Sequence, residues 1–286
     1  LVEKGSAAVV GLDFNTRFSG DCGKFFEIET QETKWRLEIM ADRAKFIAGV
    51  TAGLGRTEVL SPTSITETAG FEDAATAKAN AVKASTDALE RSKDLADQMA
   101  EEAAKAGWKV HRASNSEDAV NYVARICIEK KATSVLRSNH DAIDQIGVEA
   151  AITNAGATLE TTEHHGENSQ AQIEKSKSKA FSADIGITGV DYAIAETGTV
   201  VLHPRSGLSR LVSLAPPTHI AVLRPGEVLD SLDELFAMER NDFMSGELAG
   251  SMNLISGPSK TADIEGTTVT GIHGPLEVHL VILADE

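Results

Sequence analysis

Along the 286-residue chain the rhythm of apolar and polar positions changes several times. The first stretch holds a short apolar run, "AAVVGLDF", and a turn at "SGDCGKF". It ends in "ETKWRLEIMADRAKFIAGVTAGLG", where apolar and charged residues alternate at helical spacing up to a glycine stop. This pattern predicts an N-terminal arm over residues 1–55, followed by a Ser/Thr/Pro-rich connector, "SPTSITETAG", that opens a main domain over 56–286. From Phe71 to Ala106 neither glycine nor proline occurs, and Ala75, Val82, Leu89, Ala96 and Ala103 recur every seven residues. So narrow a seam of small residues predicts one long helix or two consecutive ones, packed closely on a flat surface or on a partner helix.

An alternation follows. "WKVHRA" reads as a strand, "NSEDAVNYVARICIEKK" as a helix capped by Ser114 or Asn115, and "ATSVLRS" as a strand. "HDAIDQIGVEAAITNAG" then reads as a helix with a glycine stop, "ATLETTE" as a strand and "HHGENSQAQIEKSKSKA" as a helix. Strands and helices taking turns at this spacing are the mark of parallel βαβ units. Further on the pattern is strand-rich: "DYAIA", "TVVLH", "HIAVLR", "NLIS" and "EVHLVIL". The "ETG" between the first two is too short for a crossover, so they should pair as an antiparallel hairpin. The expected fold is α/β: a doubly wound, mixed but mostly parallel sheet flanked by helices, with a local antiparallel excursion.

Composition sharpens this picture. Aromatic residues make up only 5% of the chain, so the core must be built from Ala, Val, Ile and Leu, which suits helices stacked on a parallel sheet. A formal net charge of −16 argues against non-specific nucleic-acid binding, which needs a basic surface, so any anion site has to be local. The two cysteines, Cys22 and Cys127, form no Cys-x-x-Cys pair and cannot by themselves hold a four-cysteine iron–sulfur cluster. The apolar run Ala7 to Leu12 is too short to span a membrane and has no basic leader, so no membrane insertion and a cytoplasmic location are expected.

Three segments could carry chemistry. The hairpin tip Glu196-Thr197-Gly198-Thr199 sets a carboxylate at the end of an apolar strand, beside a glycine that permits close backbone approach; it reads either as a site or as an ordinary polar turn. "HPRSGLSR" brings Arg205, Ser206 and Arg210 together around Gly207, a set of forked donors and hydroxyls that suits a carboxylate or phosphate, or else an exposed loop of paired arginines. "NLISGPSKTADIEG" runs a strand into Gly257, Ser259 and Thr261 and predicts a helix beginning at "TADIE", with Asp263 in its first turn. His219 and His273 fall beside proline- or glycine-rich turns and are acid–base candidates. His164, His165, His203 and His279 show no metal-helix spacing, and no metal site is expected. The chain has no Gly-x-Gly-x-x-Gly, Walker A or Gly-x-Ser-x-Gly signature.

Taken in order, "ADIGITGVDYAIAETGTVVL", "GLSRLVSLAPPTHIAVLRPGEV" and "ISGPSKTADIEGTTVTGIHGPLEVHLVIL" closely resemble the lactate-utilization protein C family, whose shared module is the LUD domain. The match is strong from about Ala183 onward and looser over Phe71 to Glu160. Residues 1 to about 40 and the segment "ETTEHHGENSQ" depart from the family patterns. The resemblance implies a fold related to ribose-5-phosphate isomerase and CoA transferases, with a site at strand ends. It also implies a part in NAD-independent oxidation of L-lactate to pyruvate, as the cluster-free member of a cytoplasmic system whose partner subunits carry the iron–sulfur clusters. Within the matched motifs Glu196, His219 and His273 are the catalytic candidates. Thr197, Gly198, Thr199, Arg205, Ser206, Arg210, Gly257, Ser259, Thr261 and Asp263 are the candidates for holding a small carboxylate or phosphate. An autonomous sugar-phosphate or CoA-ester enzyme of the same fold, and a non-catalytic scaffold subunit, stay open beside this reading.

Overall fold

The structure is a computed structural model that describes residues 45, 47–53, 55, 73–162, 170–262 and 268–284. The chain divides into two units, Leu1–Phe71 and Glu72–Glu286, so the expected 55/56 boundary falls inside the first. In that first unit residues 47–53 are helical, as the periodicity predicts, with Thr51 Oγ1 donating to the Ile47 carbonyl at 2.8 Å. The expected strand at "AAVVGLDF" and turn at "SGDCGKF" lie outside the described residues.

The second unit opens with α1 (Ala74–Glu90), α2 (Ser92–Ala106), β1 (Lys109–Arg112), α3 (Ser116–Lys130) and β2 (Ser134–Arg137). It continues through α4 (Asp141–Ile146), α5 (Glu149–Asn154), β3 (Thr158–Thr161), α6 (Gln170–Ser182) and β4 (Ile185–Gly189). Next come β5 (Tyr192–Ile194), β6 (Thr199–Leu202), α7 (Leu211–Leu214), β7 (Thr218–Leu223) and β8 (Val228–Leu229). The last elements are α8 (Leu232–Ser245), β9 (Asn253–Ile255), β10 (Lys260–Ala262), β11 (Thr268–Thr270) and β12 (Glu277–Ile282).

Six strands form a wholly parallel sheet in the order β1-β12-β7-β4-β2-β3. Every residue of β4 and β7 is buried, because a parallel sheet is covered on both faces. On one face Ala221, Leu223, Val278, Leu280 and Ile282 pack against Trp108 and against Leu95, Met99 and Ala103 of α2. On the other, Ile185, Ile187, Ile220, Val222 and Val281 meet Val123 and Ile126 of α3, Ile143 of α4 and Ile152 of α5. The fold is therefore the expected doubly wound α/β architecture. At the amino end of β12, Glu277 pairs with Lys109 and Lys130, each at 2.8 Å, and accepts from His279 at 2.7 Å. Burial alone would raise its pKa; those donors bring it down to about 2.

The hairpin expected around the "ETG" is present as β5 and β6, antiparallel, but it belongs to a separate mixed sheet ordered β8-β5-β6-β9. Asn115, rather than Ser114, caps α3 by accepting from the Asp118 N–H at 2.9 Å.

Three expectations are corrected, and two elements lie outside what the pattern predicts. The seven-residue seam fails in α1: Val82 and Leu89 are exposed, and the buried stripe is Ala77, Ala81, Ala84 and Ala88, which packs against α8. Residues two apart on a helix are turned by about 200°, so the predicted seam lies on the side opposite the stripe that α8 covers. The helix expected over "HDAIDQIGVEAAITNAG" is two short helices, α4 ending at the left-handed Gly147. No helix begins at Thr261; Lys260–Ala262 instead pairs antiparallel with Thr268–Thr270. The central strand β4 and the helix α8 were not anticipated. β4 escapes a propensity reading because two of its five residues are glycine. A Cβ added at Gly186 would collide with the carbonyl oxygen of Val212 in α7, so the strand gives up a side chain to let α7 approach.

Gly186→Ala should lower the stability of the folded chain by about 1–3 kcal/mol, the usual cost of overpacking a core. Urea unfolding followed by circular dichroism would show it as a lower midpoint with an unchanged slope.

Candidate functional site

A doubly wound parallel sheet leaves a crevice at the carboxyl ends of the two strands where the winding reverses. Here β2 leads outward to β3, whereas β4, on its other side, leads back toward β7, so the reversal lies between β2 and β4. The segments leaving these strands are Ser138-Asn139-His140 and Val190-Asp191. Gly189, the last residue of β4, lies under the His140 ring, where a Cβ would overlap the imidazole. The ring therefore sits directly over the end of the strand.

Asp191 is the centre of the charged cluster at this switch point. Its Oδ2 accepts from the His203 backbone N–H at 2.7 Å and faces His203 Nδ1 at 3.5 Å, while its Oδ1 meets Arg205 Nη1 at 2.8 Å and His140 Nε2 at 3.6 Å. His140 Nδ1 accepts from the Ala142 N–H at 3.2 Å, so the ring carries its proton on Nε2, the nitrogen turned toward Asp191. His203 Nε2 reaches Glu239 Oε1 of α8 at 2.7 Å, and Tyr192 meets the His203 ring edge-on. Burial would raise the Asp191 pKa, but the bonds from His140 and His203 and the charge of Arg205 hold it far below the usual carboxylate range. Burial likewise disfavours the charged form of His203, yet the two flanking carboxylates raise its pKa above the ordinary histidine value. The arrangement is an aspartate clasped by two imidazole rings and a guanidinium.

The loop from His203 to Arg210 lies across the ends of β2, β3 and β4. The Gly207 carbonyl accepts from the Asn139 N–H at 2.9 Å and from Thr162 Oγ1. Arg205 is half exposed. Its Nη1 serves Asp191 and the His203 carbonyl, which leaves Nε and Nη2 without a partner among the described residues. With so low a pKa, Asp191 is a poor proton acceptor. The cluster is therefore built to fix a guanidinium at the mouth of the crevice, where its remaining donors can meet an anion.

The sequence-derived candidates fall into separate settings. Arg205 stands at the crevice, with Ser206 and Arg210 exposed on the same loop; the Arg210 carbonyl accepts from Ser213 Oγ at 3.0 Å. The other two motifs meet each other around the C-terminal turn of α2. Glu196 Oε1 accepts from the Leu232 N–H at 3.0 Å and so caps α8. Thr197 Oγ1 bonds Thr199 Oγ1, which bonds Ser256 Oγ, both at 2.7 Å. Gly198 lies against Ala103 and Gly257 against the Ala106 carbonyl. Ser259 donates its N–H to the Pro275 carbonyl, its Oγ accepts from the His273 N–H at 3.3 Å, and Thr261 pairs with Val269. His273 borders an apolar cavity of about 350 Å³ with Phe181, Leu214 and Ile272. Asp263 lies outside the described residues.

His219 sits inside β7, fully buried, with Nε2 bonded to Thr188 Oγ1 at 2.8 Å and Trp108 beside it at 6.0 Å between ring centroids. Burial pushes its pKa down to about 3, so it is a neutral core residue at physiological pH. The residues that sequence reasoning missed are His140, Asp191 and Glu239, from three distant segments. Only Asp191 carried a local signal, a polar residue just past a buried strand, and that signal depends on recognising β4.

A parallel, doubly wound sheet with a charged cluster at its switch point defines an α/β protein with a candidate ligand site at its strand ends. The LUD domain family model matches residues 96–283, from within α2 to just past β12 and across the whole crevice. The chain belongs to the LUD domain family. Lactate utilization protein C of Halalkalibacterium halodurans is 35% identical over 158 residues, 55% of this chain and 65% of that protein. Lactate utilization protein C 1 of Bacillus mycoides is 31% identical over 174 residues, 60% of this chain and 72% of that protein. An Exiguobacterium relative of the same description is 40% identical over 120 residues, half of its own length. The matched stretch thus spans less than two thirds of the first of these relatives. A crystal structure of a DUF162 family protein from Deinococcus radiodurans covers 68% of this chain and 98% of its own, with a TM-score of 0.46 and 20% identity. Among the described residues, no helix is long and apolar enough to cross a membrane, and no group of three or more His, Cys, Asp or Glu is placed to hold a metal ion.

Asp191→Asn should destabilise the fold by about 1–3 kcal/mol, because it removes one of the two carboxylates that flank the His203 ring and loosens the loop; chemical denaturation at neutral pH measures it. For His219, the folded pKa lies below the unfolded 6.5, so its contribution to stability is present above pH 6.5 and is lost as pH falls toward about 3. The slope attributable to it reaches at most about 1.4 kcal/mol per pH unit, and His219→Gln should remove that part of the pH dependence of the urea midpoint.

Proposed function

We propose that the chain takes part in lactate utilization, with the free donors of Arg205 receiving the carboxylate of lactate at the crevice between β2 and β4. The observation that carries this reading is the Arg205–Asp191 pair, which presents half of a guanidinium at the switch point of the sheet. Family membership and the names of the relatives supply the substrate class. Ser206 and Arg210, exposed on the same loop, extend the set of donors toward the ligand. In this reading Glu196 and His219 hold the fold, the first by capping α8 and the second from inside the sheet.

Oxidising lactate to pyruvate removes two electrons and two protons from the hydroxyl-bearing carbon and its oxygen. The chain acts as the cluster-free, cytoplasmic subunit of an NAD-independent assembly, and the electrons pass to iron–sulfur clusters on its partner subunits. Its own part is to bind and orient the hydroxy acid. The low Asp191 pKa favours an anchoring role for that carboxylate over general-base work.

The test has two readouts. An assembly purified through this chain should reduce a dye in the presence of L-lactate, lose that activity when the chain is removed and regain it on reconstitution. Calorimetry on the isolated chain should show L-lactate binding that Arg205→Ala weakens by about tenfold or more, the worth of one charge-assisted contact. Binding that ignores Arg205→Ala, or activity that ignores the chain, overturns the reading, and turnover of a sugar phosphate or CoA ester by the isolated chain would replace it.

A further inference from the structure

The carboxyl edge of the parallel sheet has a cavity away from the switch point, at the ends of β1, β12 and β7. It holds about 170 Å³ and is lined by Lys93 and Ala96 of α2, Arg112 and Ala113 from the end of β1, Pro225 after β7, and Ile282 and Leu283 from the end of β12. Its floor is apolar and buried: Ala96, Ala113, Ile282 and Leu283 are almost fully shielded from solvent. At roughly 30 Å³ for each water molecule, the space equals about five or six waters. That suits a small ion or a three-carbon acid.

The polar groups at the rim are unbalanced. Arg112 pairs with Asp97, which lies one helical turn after Lys93 on α2. Arg112 shares its pairing with Asp97, and Lys93 has no hydrogen bond or ion pair among the described residues. Register explains the convergence. Arg112 lies opposite Ile282 in the sheet, on the face covered by α2, so its side chain leaves the strand end directly beneath that helix. On a chain of net charge −16, two cations converging on a concave apolar floor, with Asp97 the carboxylate paired there among the described residues, favour a local anion over a free surface.

We propose that this cavity is a second small-oxyanion site, in which Lys93 and the unpaired edge of Arg112 hold a phosphate or a short carboxylate. It is built from residues other than those of the crevice, and it stands whether or not lactate binds at Arg205. Calorimetry with inorganic phosphate, and separately with L-lactate, on the full chain tests it. At least one of the two should saturate a site whose affinity falls about tenfold in Lys93→Ala, recovers in Lys93→Arg and is unchanged in Arg205→Ala, the loss expected for one contact to a charged group. If phosphate alone behaves so, the ligand is a phosphate; if lactate does, it is a carboxylate. Lys93 is exposed, so the variant should fold as the parent does. No saturable binding of either ion, or binding indifferent to Lys93→Ala, overturns the proposal; loss in Arg205→Ala alone would assign the ion to the crevice instead.

Discussion

The ionised Asp191 carboxylate is the constraint around which the crevice is organised. It is held almost out of water at the end of β4, and burial of a charge is tolerated only where partners replace the lost hydration. Those partners come from three directions. His140 arrives from the end of β2, His203 and Arg205 come from the loop after β6, and His203 in turn holds Glu239 of α8. One buried charge therefore fixes the relative positions of two central strands, a surface loop and a helix from the far side of the small sheet. The chemistry offered to solvent, the outward edge of Arg205, is a by-product of that fixation. A guanidinium tethered on one side and open on the other is already oriented for an anion, so little of its rotational freedom remains to be lost on binding.

The C-terminal turn of α2 is the second organising point, and its logic is steric. Two glycine-containing motifs, around Gly198 and Gly257, press against Ala103 and Ala106, and Thr199 bonds Ser256 across them. Small residues on the helix and absent side chains on the turns let backbone approach backbone. That contact joins the small mixed sheet to the face of the main sheet built on Leu280 and Ile282. A hairpin tip with a prominent glutamate can thus belong to packing, its carboxylate capping α8 where a helix start would otherwise leave an unpaired N–H.

The sequence by itself determined the class of fold. The βαβ alternation from Trp108 to Thr161, the Ala/Val/Ile/Leu core and the short "ETG" connection follow from local periodicity, which depends only on neighbours in the chain. It also located the arginine loop, because Arg205, Ser206 and Arg210 are adjacent in sequence. The tertiary structure alone decided what that loop faces. His140, Asp191 and Glu239 are isolated polar residues in unrelated segments, and only the strand order β7-β4-β2 and the packing of α8 bring them within bonding distance. Likewise His219 reads as an acid–base candidate beside a proline turn until the sheet closes over it. The face a helix buries and the strand that becomes central are set by contacts distant in the chain. That is why the heptad seam misplaced the buried stripe of α1, and why glycine-bearing β4 became visible only once its neighbours were in place.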